Sequence, residues 1–530
     1  MYNPTIVKKV ISNKKLTYFL LFLFGVVVLF RPPIDPDFGW HYKYGEYLFQ
    51  NGRLLRENIF SYTNTSYKWV SSYWIPQALT YLSHSFLGST IPTIISSALI
   101  SLIILLILKN YSDDGFSLSF VFVMVVVALS GLAVTVRPLY FSTIFLFLLL
   151  HILLKNNGGK KFLPIMFMFW ANMHADFLIG LFILGTYSLF VFFEKTKIPT
   201  TTVYKIMPLW KNKKNISTYL KLLKNYFVKI AKDKKARIIF FKCFRILFIS
   251  TLVTLINPYG IELWTTLLKE LTQPFKAFVK EWSPISDVSF KNIIISSLVS
   301  LGAVFSVSPY KKNDQEFKPW YRFLIVFFYL FFIKSAYFLR IVIVLSAFPI
   351  LQNINHIKND ICKIYKRTFE IFPSFTLNVF LAFILFTVLG VFVNNVFSTT
   401  SIKKWSEENK YPYGAVSYVK KDPIEGNMLN NYSWGGYLIW QLPEYKTFVD
   451  GRMTAWKKDG EYLMDRYRKI YYGTEDNKDL LMNYIDGYNI TWTITEPDAK
   501  IAKYLKSDGW EVYYEDDISI VLKKLDSVRD

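Results

Sequence analysis

The chain is poor in the side chains from which most soluble enzyme sites are built. It has two cysteines and five histidines in 530 residues, and 39 acidic residues against 62 lysines and arginines. Both cysteines, Cys243 and Cys362, fall near the cytoplasmic ends of apolar runs, so the sequence predicts neither a disulfide nor a cysteine-bound metal. No internal repeat stands out, and no Walker, kinase-like or Ser-His-Asp pattern is convincing. The acidic deficit leaves a formal charge of +23, which in a soluble chain would suggest nucleic acid. Here the Lys and Arg sit in loops between apolar runs, where they encode orientation in a bilayer; no nucleic-acid partner is expected.

What the chain has in quantity is apolar. It is 52% hydrophobic and 18% aromatic, and runs of membrane-spanning length recur along most of it, so the class is a polytopic α-helical membrane protein. Run 16–30 follows Lys8, Lys9, Lys14 and Lys15, which puts the N-terminus in the cytoplasm. It lacks an A-x-A-like cleavage site and more spans follow, so it reads as an anchor. Further spans are expected over 91–108, 116–136, 139–154, 238–256, 293–307, 323–333, 341–351 and 375–396. Segment 162–193 is decided by charge: the strongly basic loop 194–237 belongs inside, which requires an even number of crossings after the inner Lys160-Lys161 turn. It is therefore read as two short helices broken at Trp170-Ala-Asn-Met-His-Ala-Asp176, with Asn172, His174 and Asp176 at an outer turn. About eleven spans result, with nearly every basic loop on one side.

Two soluble pieces face outward in this topology. The first outer loop, 32–90, carries two expected amphipathic helices, 42–49 ended by Asn51-Gly52 and 73–86 along the membrane interface. From residue 398 the composition turns charged and turn-rich. Strand-like pieces at 427–429, 446–449, 490–495, 511–514 and 518–522 alternate with helical ones at 436–441, 461–471, 478–485 and 499–506. The sequence thus divides into a membrane domain, 1–397, and a small α/β C-terminal extracytoplasmic domain, 398–530.

The chemistry gathers where the first span emerges, at Asp35-Pro-Asp-Phe-Gly-Trp-His41. Carboxylates at a helix start also serve as N-caps. Two acids with a Trp and a His at one membrane exit exceed that need, because ionisable groups near lipid are costly. Asp37 and Asp35 are the candidate catalytic residues: a carboxylate within hydrogen-bond reach of an acceptor hydroxyl or amine can take its proton as it attacks. Trp40, His41, Asn172, His174, Glu281 and Trp282 are expected to line the site. Arg137 and Arg340 place cations at outer helix ends against the orientation rule, which favours a phosphate clamp over snorkelling to headgroups. A divalent cation held by Asp35, Asp37, His41 and His174 is the alternative use of these groups, although their spacing fits no compact metal motif. In the tail, Trp434-Gly-Gly436 lacks a dinucleotide spacing, and Asp450-Gly-Arg452 either binds a polar ligand or forms a turn.

An acid motif just outside the first helix, a long first outer loop with interfacial helices, about eleven spans and a soluble C-terminal domain together resemble the C-superfamily of glycosyltransferases (GT-C). Protein O-mannosyltransferases and lipid A aminoarabinose transferases are members. In many, an Asp-Glu pair in the first loop is followed by a helix and then Gly. Asp37 to Gly52 is similar in layout, with Phe38 in place of Glu. The chain also resembles a group of bacterial membrane proteins of unassigned reaction, which share Asp35–His41, Arg137-Pro138, Asn172–His174, Asn257-Pro-Tyr-Gly260, Trp434-Gly-Gly-Tyr437 and Asp450-Gly-Arg452. The resemblance implies a sugar taken from a polyprenyl-phosphate carrier and passed to a glycan, lipid or protein acceptor on the outer face of the inner membrane, with Asp37 as base. A transporter would want polar or broken helices at mid-membrane, which these spans lack. A polysaccharide ligase or polymerase would favour a large late outer loop rich in Arg, and the late loop here is short. A non-catalytic scaffold is the remaining alternative.

Overall fold

The computed structural model describes residues 13–30, 36–88, 90–109, 120–121, 124, 137–155, 158–196, 233–271, 318–349, 374–472 and 478–525. Asp35, Glu281, Trp282 and Cys362 lie outside the described residues. So do most of loop 194–237, nearly all of the expected span 116–136 and the whole of 293–307.

Nine of the expected spans fall on observed helices: α1 (Lys14–Leu29), α4 (Thr90–Lys109), α5 (Leu139–Lys155), α6 (Leu163–Ala171), α7 (Phe177–Lys195), α8 (Lys234–Val253), α10 (Pro319–Lys334), α11 (Ala336–Pro349) and α12 (Ser374–Thr400). Among the described residues, α4 and α7 alone are long and apolar enough, by length and composition, to cross a membrane. On α4, Thr93, Ser97, Ile100, Ile104 and Leu108 are buried, while Ile91, Ile95, Leu99, Leu102 and Leu106 are exposed along the opposite face. On α12, Phe380, Phe383 and Phe386 are likewise exposed. An apolar stripe left outside a packed bundle is what a lipid-facing helix shows, since water would penalise it.

Segment 162–193 breaks where charge bookkeeping placed the break. Leu163–Ala171 and Phe177–Lys195 are separate helices joined by a turn holding Asn172, His174 and Asp176. The first outer loop contains the two expected helices: α2 (Phe38–Asn51), longer than predicted and ended at left-handed Gly52, and α3 (Trp74–Leu87), shifted by one residue from the expected 73–86. A short amphipathic helix, α9 (Ile261–Leu271), follows Asn257-Pro-Tyr-Gly260. That tetrapeptide is an Asn-stabilised turn: Asn257 Oδ1 accepts from Tyr259 N at 2.8 Å. Its Tyr259 hydroxyl meets that of Tyr44 at 2.8 Å, tying α9 to α2.

The C-terminal part is α/β. After α13 (Ile402–Glu408) and α14 (Tyr413–Lys421) come β1 (Asn427–Asn430), α15 (Gly435–Gln441), a hairpin β2–β3 (Lys457–Lys458, Glu461–Tyr462), α16 (Leu463–Tyr471), α17 (Lys478–Gly487), β4 (Ile490–Thr495), α18 (Lys500–Ser507), β5 (Glu511–Glu515) and β6 (Ile520–Lys523). The sheet order is β1-β4-β6-β5, with β1 and β4 parallel and the other pairs antiparallel. One expected strand, 446–449, is not in this sheet. Its hydrogen bonds go to the first outer loop: Thr447 N donates to Phe60 O at 3.0 Å, and Phe448 O accepts from Thr63 Oγ1 at 2.9 Å. The segment has strand-like composition because it pairs, but with another part of the chain.

Candidate active site

Asp37 occupies the N-cap position of α2, yet its side chain makes no capping bond. Its carboxylate is turned to other partners. Asp37 Oδ1 accepts from Trp40 Nε1 at 3.1 Å, one helical turn on, and Oδ2 lies 3.6 Å from Arg137 Nη2. Both charged side chains remain about a quarter exposed. Arg137 stands immediately before Pro138 and the start of α5, so a rigid turn fixes its origin.

A second charged cluster lies at the turn between α6 and α7. Asp176 is buried, its Oδ2 bonded to Arg340 Nη2 and its Oδ1 accepting from the Tyr337 hydroxyl at 2.5 Å. Burial works against the charge on Asp176. Arg340, His174 and the bonds from Tyr337 and Arg340 outweigh it and hold the carboxyl below its ordinary range. Arg340 also reaches Leu139 O at 3.4 Å, at the first turn of α5 beside Arg137. Of the two expected phosphate contacts, Arg340 is therefore occupied with Asp176, and Arg137 is the one beside Asp37. His174 Nδ1 accepts from Asp176 N at 3.1 Å. Burial first, and Arg340 after it, lowers the imidazole to about 4 against the pull of Asp176. It is neutral at physiological pH, consistent with an accepting Nδ1.

The two clusters meet through Tyr73. Its ring is 5.8 Å from that of His41 and 5.4 Å from that of His174. Burial, then Glu270, Asp176 and Asp37, raises the Tyr73 phenol, so both aspartates bear on one hydroxyl. His41 is buried and kept neutral by that burial, by Arg137 and by His174. Its Nδ1 has no hydrogen-bond partner among the described residues. Trp40, His41, Arg137 and His174 thus lie in one region with Asp37. Asn172 borders it as a brace: Oδ1 accepts from Trp74 Nε1 at 2.9 Å and Nδ2 donates to Met168 O and Ile256 O, each at 2.8 Å.

Sequence reasoning placed Asp176 at the outer turn and gave it no part in the site; it is the hub of the second cluster. His174-Ala-Asp176, two ionisable groups one residue apart at a helix break, was the available signal. Glu270 also went unassigned. It sits on α9 three and seven residues after the buried Leu267 and Leu263, on the inward face. Burial raises it to about 7 from its ordinary 4.5. Between those values the folded chain holds a proton that the unfolded chain has released, so stability falls as pH rises through this window. The thermal midpoint of the detergent-solubilised protein is expected to drop between pH 5 and pH 8, with a smaller drop in Glu270→Gln. An identical pH dependence in that variant would show that Glu270 is not the titrating group.

Among the described residues, no three His, Cys, Asp or Glu side chains converge on a point that could hold a metal ion. Asp176, the acid nearest His174, is engaged by Arg340 and Tyr337.

No family profile matches the chain, and no curated protein matches it in sequence. Solved structures do match. The chain is similar to the apo oligosaccharyltransferase of Archaeoglobus fulgidus, at 9% identity and a TM-score of 0.51, over 91% of this chain and 70% of that one. ArnT from Cupriavidus metallidurans bound to undecaprenyl phosphate aligns over 99% of this chain and 98% of that one, at 11% identity and a TM-score of 0.41. The first likeness spans both the helical bundle and the C-terminal α/β part. The chain shares the overall fold of that archaeal oligosaccharyltransferase.

Proposed function

We propose that this chain is a membrane glycosyltransferase that moves a sugar from a polyprenyl-phosphate donor to a glycan, lipid or protein acceptor of the cell envelope. The observation that carries the reading is Asp37: an acid at a helix start that does not cap the helix, half-buried beside Arg137. In the proposed reaction the acceptor hydroxyl or amine attacks the anomeric carbon and gives its proton to the Asp37 carboxylate. The bond between that carbon and the phosphate oxygen breaks, and the phosphate leaves with the electron pair. Arg137 is placed to take up the charge developing on it. His41 Nδ1, buried without a protein partner among the described residues, suits a sugar hydroxyl. Trp40 and Tyr73 offer ring faces nearby.

In this reading the site opens on the outer face, with the N-terminus in the cytoplasm and residues 398–530 outside. Mass spectrometry of lipid-linked sugars and envelope glycans in a deletion strain tests it. A polyprenyl-phosphate sugar should accumulate while one glycan modification disappears, and plasmid-borne wild-type chain should restore both. Unchanged lipid-linked sugars and glycans in the deletion strain would overturn the assignment.

A further inference from the structure

The tail motifs Trp434-Gly-Gly436 and Asp450-Gly-Arg452 supply no group to the proposed proton transfer, yet both touch the segment that carries Asp37. A Cβ placed on Gly451 would fall well inside contact distance of Asp37 Oδ1, and 3.7 Å from Trp40 Nε1. A Cβ on Gly436 would strike Pro36 O, and one on Gly39 would strike Gly436 O. Backbone from the C-terminal domain therefore lies directly on residues 36–39 from two sides. Any side chain at Gly436 or Gly451 needs that space.

The turn that brings Gly451 there is rigidly held. Asp450 is fully buried and accepts from Arg452 N at 3.0 Å, from Nε at 2.7 Å and from Nη2 at 2.7 Å. The Arg452 guanidinium also donates to Asn58 Oδ1 at 3.1 Å. It lies over the rings of Phe60, Trp69 and Trp456 at 4.8 to 5.2 Å. Upstream, Asn430 Oδ1 accepts from Phe448 N at 2.8 Å and Asn430 Nδ2 donates to Val449 O at 2.8 Å. This is far more order than a surface turn requires.

We propose that the Asp450–Arg452 turn is a positioning device for the catalytic acid: the Gly451 backbone and Trp40 Nε1 hold Asp37 Oδ1, leaving Oδ2 on the Arg137 side to take the proton. Gly451 and Arg452 are positioning residues, and the C-terminal domain is a working wall of the site. This rests on Asp37 being the base of a sugar transfer.

The test uses full-length chain in membranes and, as donor, the lipid-linked sugar recovered from the deletion strain. Wild type, Gly451→Ala, Arg452→Lys, Asn64→Ala and Asp37→Asn are compared for kcat and donor KM. Asn64 Nδ2 donates to Lys457 O at 3.1 Å, elsewhere in the same interface, so Asn64→Ala controls for general loosening. Gly451→Ala should lower kcat at least tenfold with donor KM within twofold, while Asn64→Ala stays near wild type. Wild-type kcat in Gly451→Ala, or an equal loss in Asn64→Ala, overturns the proposal and leaves the transferase reading standing. Should Gly451→Ala fail to accumulate, Arg452→Lys carries the test: a severalfold fall in kcat supports positioning, and an unchanged kcat refutes it. Full activity in Asp37→Asn would instead remove the transferase base, and the positioning role with it.

Discussion

Asp37→Asn is expected to reduce sugar transfer by roughly 10²–10⁴-fold, the usual contribution of a positioned base, with little change in donor KM. The amide keeps the shape of the side chain and can still accept from Trp40 Nε1, so the packing around α2 should survive. What is lost is the capacity to take the acceptor's proton while bonding changes at the anomeric carbon. Because Asp37 does not cap α2, the substitution should leave the thermal midpoint close to wild type. That separation, large in kcat and small in melting, identifies a reactive group. Turnover of lipid-linked sugar in mutant membranes is the measurement, and transfer at the wild-type rate would eliminate Asp37 as base.

Asp176→Asn should behave in the opposite way. Asp176 and Arg340 are both buried, and the substitution removes the carboxylate to which the Arg340 guanidinium is bonded. Breaking one side of a buried ion pair costs about 3–5 kcal/mol, which should appear as a clear drop in the melting temperature of the detergent-solubilised protein. Arg340→Met alone should be comparably damaging, since it strands the carboxylate. The double replacement Asp176→Leu with Arg340→Met removes both charges and should melt above either single variant. If Asp176→Asn melts like wild type, the pair does not hold the α6–α7 turn to α11.

Much of the helical architecture was legible because long apolar runs between basic loops admit few readings. The break at 172–176 followed from counting crossings between basic loops, and it is where α6 ends and α7 begins. The two first-loop helices and the alternating tail followed from periodicity and turn residues. What stayed hidden was pairing across distance. Arg340 looked like a phosphate clamp because its partner, Asp176, lies 164 residues earlier, and nothing local advertises the match. Segment 446–449 has the composition of a sheet strand, and only the folded chain shows that it pairs with residues 60–63 of the first loop. The Asp450-Gly-Arg452 turn was equally balanced between ligand binding and structure. In the fold its acid and base satisfy each other while its glycine meets Asp37.

The seam between the first loop and the tail has a consequence for biosynthesis. Ser61 finds its acceptor at Phe448, 387 residues downstream. At a synthesis rate of about 5–20 residues per second, that acceptor is made roughly 20–80 s after the loop leaves the ribosome. During that interval Phe60, Trp69 and the Asp37 segment lack the surface they will lie against. A chain truncated before residue 446 would keep the Gly436 contact on Pro36 and Gly39 and lose the Gly451 backbone that lies against Asp37, so the two sides of that segment are covered at different times during synthesis.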